Sequence, residues 1–197
     1  MKNTVSCKKE VTPKGKYMNK KVLIISASAR RGGNSDTLCD QFMLGAKEAG
    51  NTVEKIFLKD KNIKYCTGCG VCTNSGNGCI QKDDMAEILD KMIDVDAIVM
   101  ATPVYFYTMN GQMKTFIDRV VPRYTDITYK DFYFIATAAD GRKQAIERTL
   151  EEFRGFTDCC LTGANEKGII YGVGAWNMGD IKGTKAMTEA YEMGKKV

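Results

Sequence analysis

The chain has 197 residues, 44% hydrophobic and 27% charged, a composition typical of one globular domain and not of a disordered chain. Its longest apolar runs, such as VLIISA and AIVMA, are far shorter than the roughly 20 residues that cross a membrane, so we expect no membrane partner. The chain contains no histidine, which excludes histidine-based triads, histidine-zinc sites and histidine-ligated haem.

The net charge of +5 is concentrated at the N-terminus. Residues 1–21 hold seven lysines and one glutamate, a charge of +6, which leaves −1 for the remainder. Because this segment has a single aromatic residue, Tyr17, and no recognisable binding module, we expect a solvated tail or an oligomer contact, and no nucleic-acid partner. It also lacks the apolar core of a secretory signal, so we expect a cytoplasmic protein with a basic arm at 1–19 and one folded domain at 20–197.

After the arm, short apolar runs alternate with helical patterns five times. The predicted strand and helix pairs are, in chain order, KVLIISA with NSDTLCDQFMLGAKEAG; VEKIFL with DDMAEILDKMID; DAIVMA with NGQMKTFIDRVV; FYFIATA with GRKQAIERTLEEF; and GIIYGVGA with TKAMTEAYEMGKK.

Local spacing refines three of these elements. Asp84 and Glu87 have the spacing of a capping box at the start of the second helix. Apolar positions at 113, 116, 117, 120 and 121 predict that the third helix extends to Val121. The run 97–100 has no polar alternation, which is typical of a parallel strand buried on both faces. The pattern predicts an α/β fold, a doubly wound five-stranded parallel sheet with helices on both faces.

In such a sheet a ligand binds beyond the carboxyl ends of the strands, so the loops at those ends are the candidate site. The first loop, SASARRGGNSDT (26–37), lacks the GxGxxG pattern of a dinucleotide site. It combines hydroxyl groups, an amide, a guanidinium and two glycines at a helix N-terminus, which indicates a nest for a terminal phosphate; the alternative is a polar turn that caps the helix. The candidate phosphate residues are Ser26, Ser28, Arg30, Asn34, Ser35 and Thr37.

Two further loops have the chemistry of walls for a planar ring. ATPVYFYTMNG (101–111) places a proline-stiffened aromatic run at the end of a central strand, although single aromatic residues more often belong to a core. ATAADGRK (136–143) supplies polar groups for a ring edge, or only a left-handed turn at Asp140–Gly141. A phosphate nest with two ring-binding loops predicts FMN across the switch point of a flavodoxin-like sheet of order 2-1-3-4-5. The ring residues predicted are Pro103, Val104, Tyr105, Phe106, Tyr107, Thr137 and Asp140.

Four segments of residues 21–196 together resemble the NAD(P)H-dependent FMN reductase group of flavodoxin-like proteins. They are ASARRGGNSDTL, TPVYFYTMNGQMKTFIDR, the cysteine run followed by KDDM, and GDIKGT before the last helix. Within the group they are most similar to iron–sulfur flavoproteins. The resemblance implies FMN bound by the first loop and the PVYFY loop, NAD(P)H as co-substrate, and a homodimer or homotetramer with active sites near subunit boundaries.

The stretch CTGCGVCTNSGNGC (66–79) holds four of the eight cysteines in the spacing CxxCxxCx6C. One tight run with overlapping CxxC pairs and four glycines favours a 4Fe–4S cluster over zinc, whose structural sites usually pair two separated knuckles. Disulfides are a weaker alternative in a reducing compartment, and free thiols in an FMN-only relative are the main one. The predicted cluster ligands are Cys66, Cys69, Cys72 and Cys79. The other cysteines, Cys7, Cys39, Cys159 and Cys160, are interpreted as packing residues, with a redox-active pair at 159 and 160 as the alternative.

These features predict an oxidoreductase that passes electrons from NAD(P)H or a ferredoxin-like donor through FMN and the cluster to a small-molecule or protein acceptor. No catalytic side chain is predicted, because the flavin carries the chemistry. The alternatives are a flavodoxin-type carrier, an FMN-only reductase of quinones, flavins or azo dyes, and a zinc-stabilised binding module.

Overall fold

The structure is a computed structural model that describes residues 19–76 and 78–197. Cys7 and nearly all of the predicted basic arm lie outside the described residues. Within them, no helix has the length and apolar character needed to cross a membrane.

Five parallel strands form the central sheet in the order β2-β1-β3-β5-β6. A two-residue strand, β4, pairs antiparallel with the end of β3 and was not predicted. Leaving β4 aside, the order is the predicted flavodoxin-like 2-1-3-4-5, with every pairing among the five strands parallel. The strands span β1 (Lys21–Ser26), β2 (Thr52–Phe57), β3 (Ala97–Tyr105), β4 (Thr108–Met109), β5 (Asp131–Thr137) and β6 (Asn165–Gly172).

Each parallel strand is followed by at least one helix, as the alternating pattern predicts. The helices are α1 (Asn34–Glu48), α2 (Val71–Asn74), α3 (Met85–Asp94), α4 (Gly111–Asp118), α5 (Gln144–Cys160) and α6 (Lys185–Gly194). Short 3₁₀ helices occupy Leu58–Asp60, Tyr124–Asp126 and Asp180–Gly183.

The two faces of the sheet bury separate hydrophobic layers. Val22 and Ile24 point to the layer that α1 and α6 cover, whereas Leu23 and Ile25 point to the layer under α3, α4 and α5. Helices α1 and α6 pack closely because Gly45 lies against a Tyr191 carbonyl, where a Cβ atom would clash. Successive side chains of β1 therefore pack alternately into the two hydrophobic layers, as expected of a doubly wound sheet.

Two local predictions about helix ends are wrong. Asp84 does not cap α3, because its own backbone is helical (φ −67°) and its carboxylate accepts the Asn62 N–H at 2.7 Å. The Met85 N–H instead donates to the Asp83 carboxylate at 3.2 Å. Helix α4 ends at Asp118, so Val121 lies in a following turn and is half-exposed.

Candidate active site

The carboxyl ends of β1, β3, β5 and β6 converge on one cavity of about 770 Å³. This volume is within the range of sites that bind cofactor-sized ligands. The cavity lies at the topological switch point between β1 and β3, and we call it the first cavity. All the predicted FMN residues line it except Ser26 and Thr37; the lining includes Ser28, Arg30, Asn34, Ser35, Pro103, Val104, Tyr105, Phe106, Tyr107, Thr137 and Asp140.

The loop after β1 forms a tight cradle at the start of α1. A Cβ atom on Gly33 would lie only 2.6 Å from the Ser28 hydroxyl oxygen, so a larger residue would not fit there without a shift. Ser28 is itself held by the loop, because its hydroxyl donates to the Arg30 carbonyl at 2.7 Å. The cradle therefore depends on a glycine at position 33, next to the first turn of α1, whose N–H groups have no intrahelical acceptor.

Two polar groups of this cradle have no partner within the described residues. The Ser35 hydroxyl is fully buried and makes no hydrogen bond. The Arg30 guanidinium is exposed at the cavity and forms no ion pair or hydrogen bond with described side chains. A buried unbonded hydroxyl costs about 1–3 kcal/mol, so its persistence beside a free cation at a helix N-terminus fits a site for an anion such as a phosphate.

Asn34 lines the first cavity, but its side chain is hydrogen-bonded within the protein. Its amide nitrogen donates to the carbonyls of Ala175 (3.2 Å) and Asn177 (2.9 Å), and its amide oxygen accepts from the N–H groups of Gly179 (3.1 Å) and Ile181 (3.4 Å). All of its side-chain hydrogen-bonding capacity is thereby used. Asn34 borders the first cavity but ties α1 to the loop after β6.

Ser26 and Thr37 lie outside the cavity lining. The Ser26 hydroxyl points below the loop and donates to the buried Asp36 carboxylate at 3.0 Å. Asp36 also accepts the Gly32 N–H at 3.0 Å and is paired with Lys55 at 3.0 Å. The Thr37 hydroxyl donates to the Gly32 carbonyl. These groups support the loop from beneath and would not contact a ligand in the first cavity.

The aromatic run at the end of β3 belongs to a hairpin with β4 and is not part of the core. Phe106 and Tyr107 both have positive φ angles (52° and 63°), as in the two central residues of a tight hairpin turn. Phe106 is 99% exposed, and Tyr105 and Tyr107 are about half-exposed. Left-handed backbone at bulky residues is costly, so a strained and exposed aromatic tip at a cavity indicates a functional position.

The loop after β5 is held by an ion pair. Arg142 donates to both carboxylate oxygens of Asp140, with Nη2–Oδ2 at 2.7 Å, and this contact holds the pKa of Asp140 down at about 2. Asp140 and Gly141 have no positive φ angle, so the left-handed turn considered from the sequence does not form. Thr137 is buried at the end of β5 and lines the first cavity.

The loop after β6 also contributes to the first cavity, which was not predicted. Trp176 and Asn177 line the first cavity, and their N–H groups both donate to the Asp180 carboxylate, at 3.0 and 2.6 Å. Trp176 is 75% exposed. The sequence did indicate this loop, because GAWNMGD follows the last strand of the sheet. The expectation that a ligand binds beyond the carboxyl ends of the strands applies to that strand as well.

The predicted cluster loop is exposed and carries its cysteines on glycine-rich backbone. Glycines 68, 70, 76 and 78 all have positive φ angles between 65° and 74°. The Gly68 N–H donates to Cys66 Sγ at 3.5 Å, and the Val71 N–H lowers the pKa of the Cys69 thiol. Nevertheless, in the described part of the chain, no three cysteine, histidine or acidic side chains converge into a group that could hold a metal ion.

The remaining described cysteines differ from one another. Cys39 is buried on α1, where desolvation raises the pKa of its thiol, as expected of a packing residue. Cys159 and Cys160 are exposed at the end of α5, so their interpretation as packing residues is wrong.

Known proteins are similar to this chain in both sequence and fold. A family model described as NADPH-dependent FMN reductase matches residues 20–162. An iron–sulfur flavoprotein of Archaeoglobus fulgidus is 32% identical over 180 residues, 90% of this chain and 78% of that protein. Another from Methanocaldococcus jannaschii is 33% identical over 184 residues, 90% of this chain and 95% of that protein.

Among solved structures, an NAD(P)H:quinone oxidoreductase from Methanothermobacter marburgensis has a TM-score of 0.72 at 17% identity, covering 91% of this chain and 97% of that one. At this identity the likeness shows the fold alone. The family match confirms the resemblance of the sequence to FMN reductases, and the first cavity lies where a flavodoxin-like sheet binds its ligand. The chain therefore belongs to the NADPH-dependent FMN reductase family and is an NAD(P)H-dependent flavin oxidoreductase.

Proposed function

We propose that the first cavity binds FMN and that the chain moves electrons from a nicotinamide donor through it to an acceptor. Ser28, Arg30 and Ser35 would hold the phosphate. The hairpin with Pro103, Val104, Tyr105, Phe106 and Tyr107 would flank the ring, and Thr137 and Asp140 would lie at its edge. FMN, when bound, supplies the hydride- and electron-transfer chemistry, and the protein supplies binding, orientation and exclusion of water.

The single observation that carries this proposal is that the buried Ser35 hydroxyl, unbonded within the described residues, and the exposed Arg30 guanidinium line the same cavity. Both groups lie at the N-terminus of α1, where the helix dipole favours negative charge. The phosphate of FMN would satisfy the hydroxyl, the cation and the free N–H groups together. The Asp36 carboxylate, the acidic group in the first turn of α1, is already engaged by the Gly32 N–H, the Ser26 hydroxyl and Lys55.

Titration of the apoprotein with FMN, followed by quenching of flavin fluorescence, tests this assignment. We expect Ser35→Ala and Arg30→Met each to raise the Kd for FMN about tenfold, equivalent to about 1.4 kcal/mol. Thr149→Val is the matched control for the hydroxyl, because Thr149 also carries a buried unbonded hydroxyl but lies on the buried face of α5, outside the first cavity. Arg148→Met, on the solvent side of α5, is the control for the charge. Equal effects of the test and control variants would exclude this phosphate site.

We further propose that Cys66, Cys69, Cys72 and Cys79 bind a 4Fe–4S cluster. Four thiols, N–H donors aimed at two of their sulfurs, and glycines that allow tight turns suit the chemistry of such a cluster. The relatives at 32% and 33% identity are named iron–sulfur flavoproteins, which supports the proposal. Since the thiols do not converge within the described residues, we propose that cluster binding and closure of the loop occur together, as is common for metal sites.

Iron, acid-labile sulfide and zinc analysis of protein purified without oxygen tests the cluster. We expect four iron and four sulfide per chain, with no zinc, from the composition of a 4Fe–4S cluster. Protein that contains FMN and no iron would favour the second candidate function, an FMN-only reductase. That candidate is favoured by the separation of the cysteine side chains in the described residues.

A further inference from the structure

A second cavity of about 450 Å³ adjoins the first. Ala29 and Tyr105 line both cavities, so the two adjoin at these residues. Lys59, Lys61, Gln112 and Thr115 also line the second cavity.

The lining of the second cavity is cationic. Lys59 and Lys61 contribute two ammonium groups, and no aspartate or glutamate belongs to the lining among the described residues. Neither lysine has an ion-pair partner within the described part of the chain, whereas Lys55, Lys91 and Lys114 are each paired with a carboxylate. Two cations without a direct ion-pair partner in a concave site raise the local concentration of anions.

Two nearby carboxylates could have neutralised these lysines, but both are occupied. Asp60 lies between Lys59 and Lys61 in sequence, and its carboxylate forms an ion pair with Arg31 instead. Arg31 also stacks over the Phe57 ring at 4.9 Å, which fixes it on that side. Glu87 is influenced by Lys61, but its carboxylate is bound by Lys91 at 2.7 Å. The positive charge of the second cavity is therefore a consequence of how the surrounding carboxylates are paired.

We propose that the second cavity is the subsite for the phosphate-bearing tail of NADPH, whose nicotinamide end would reach the first cavity past Tyr105. The lysines supply charge for phosphate, and the side chains of Gln112 and Thr115 supply neutral hydrogen-bonding groups. A concave site that shares Ala29 and Tyr105 with the first cavity fits a small extended anion better than the surface of an acidic protein donor. This inference rests on the proposed FMN site, because the nicotinamide must meet the flavin there.

The test is titration calorimetry of FMN-loaded protein with NADP⁺, together with steady-state rates for NADPH. We expect Lys59→Met and Lys61→Met each to weaken NADP⁺ binding about tenfold and to raise KM with kcat retained, because phosphate contacts act alike in ground and transition states. Both side chains are on the surface, so the variants should fold normally. Lys82→Met, an exposed lysine outside both cavities, is the control and should leave binding unchanged.

The outcomes separate this inference from the proposed function. If wild-type protein binds no FMN, the proposed function fails first. If it binds FMN and the lysine variants bind NADP⁺ as wild type does, the subsite is wrong and the FMN site stands. Loss of electron transfer from an acidic protein donor such as a ferredoxin, with NADP⁺ binding unchanged, would also overturn the subsite. A larger effect with NADPH than with NADH supports contact with the 2′-phosphate, and an equal loss with both supports contact with the pyrophosphate.

Discussion

The guanidinium of Arg119 and the carboxylate of Asp83 form a two-point ion pair in the protein interior, with Nη1–Oδ2 at 2.7 Å and Nη2–Oδ1 at 2.9 Å. Their side chains are only 2% and 1% exposed. The same guanidinium donates to the Lys64 carbonyl at 2.5 Å and approaches Cys79 Sγ at 3.7 Å. One arginine after α4 thus holds both the segment that enters the cysteine loop and the segment that leaves it.

Removal of the Asp83 charge should destabilise the fold. Asp83→Asn keeps the shape of the side chain but leaves the buried Arg119 guanidinium without its counter-charge, so we expect a loss of about 3 kcal/mol in the free energy of unfolding. Asp126→Asn is the control, since Asp126 forms an exposed ion pair with Arg123 and should change the free energy by less than about 1 kcal/mol. Urea unfolding of the two variants measures both values; a similar small loss in both would contradict a structural role for the buried pair.

The contribution of Asp83 should also depend on pH. Burial raises the pKa of its carboxyl group, but the Arg119 guanidinium and the N–H groups of Lys64 and Met85 outweigh burial and hold the pKa below its ordinary value. A lowered folded pKa stabilises the protein above the unfolded pKa of about 3.9, and this stabilisation is lost as the pH falls through the folded value. The difference in stability between wild type and Asp83→Asn should therefore be constant from about pH 5 to 8 and should shrink below about pH 4. A difference that grows on acidification would have the wrong sign.

Loss of one proposed cluster ligand should separate the two cofactors. Cys69→Ala should abolish iron and sulfide binding and leave the Kd for FMN unchanged, because Cys69 lies outside the first cavity. Cys160→Ala, an exposed cysteine at the end of α5, should affect neither. Metal analysis and FMN titration of the same preparations provide the comparison. Simultaneous loss of FMN and iron from Cys69→Ala would contradict independent sites.

The buried charge beneath the phosphate loop should control FMN affinity indirectly. Lys55 lies between Asp36 and Asp40, and these carboxylates outweigh the effect of burial and raise the pKa of Lys55. Lys55→Met would leave the Asp36 carboxylate unbalanced close to the proposed phosphate site, so we expect the Kd for FMN to rise about tenfold. Lys91→Met is the control, because Lys91 pairs at the surface with Glu54, which lies on β2 next to Lys55. This variant should leave the Kd for FMN unchanged. Equal values for both variants would show that Asp36 and Lys55 are irrelevant to the cofactor.

The strained backbone of the hairpin tip should lower the stability of the fold, while its aromatic rings should contribute to FMN binding. Replacing Phe106 and Tyr107 together by Asn and Gly places residues that favour positive φ at both positions, so we expect a gain of about 1–2 kcal/mol in stability and weaker FMN binding. The double variant Phe106→Ala with Tyr107→Ala removes the rings but keeps the strain, so it should weaken FMN binding with no gain in stability. Thermal unfolding and FMN titration distinguish the two. Unchanged FMN affinity in both would show that the rings do not contact the flavin.

The sequence predicted the sheet and the loops well because both follow from short-range patterns. The run 97–100 is fully buried as its lack of alternation indicated, and the strand ends place Ser28, Ser35 and Tyr105 around one cavity. These outcomes depend only on the period of the hydrophobic pattern and on the rule that parallel strands end at one edge.

Predictions that needed long-range partners were less successful. Asn34 has the chemistry of a phosphate ligand, but its amide bonds to residues more than 140 positions away, which no local pattern shows. Asp84 has capping-box spacing, yet its carboxylate is taken by the Asn62 N–H across the loop. The ion pair of Arg119 with Asp83 was also not foreseen, since its two residues are 36 positions apart.

The most direct measurement of the central claim is an anaerobic titration of the FMN-loaded protein with NADPH, followed by the visible absorption of the flavin. A functional site should take up one FMN per chain, and NADPH should bleach the flavin absorption stoichiometrically, with air restoring it. Failure to take up FMN, or flavin absorption that neither NADPH nor NADH changes, would contradict the assignment of the first cavity as the site of an NAD(P)H-dependent flavin oxidoreductase.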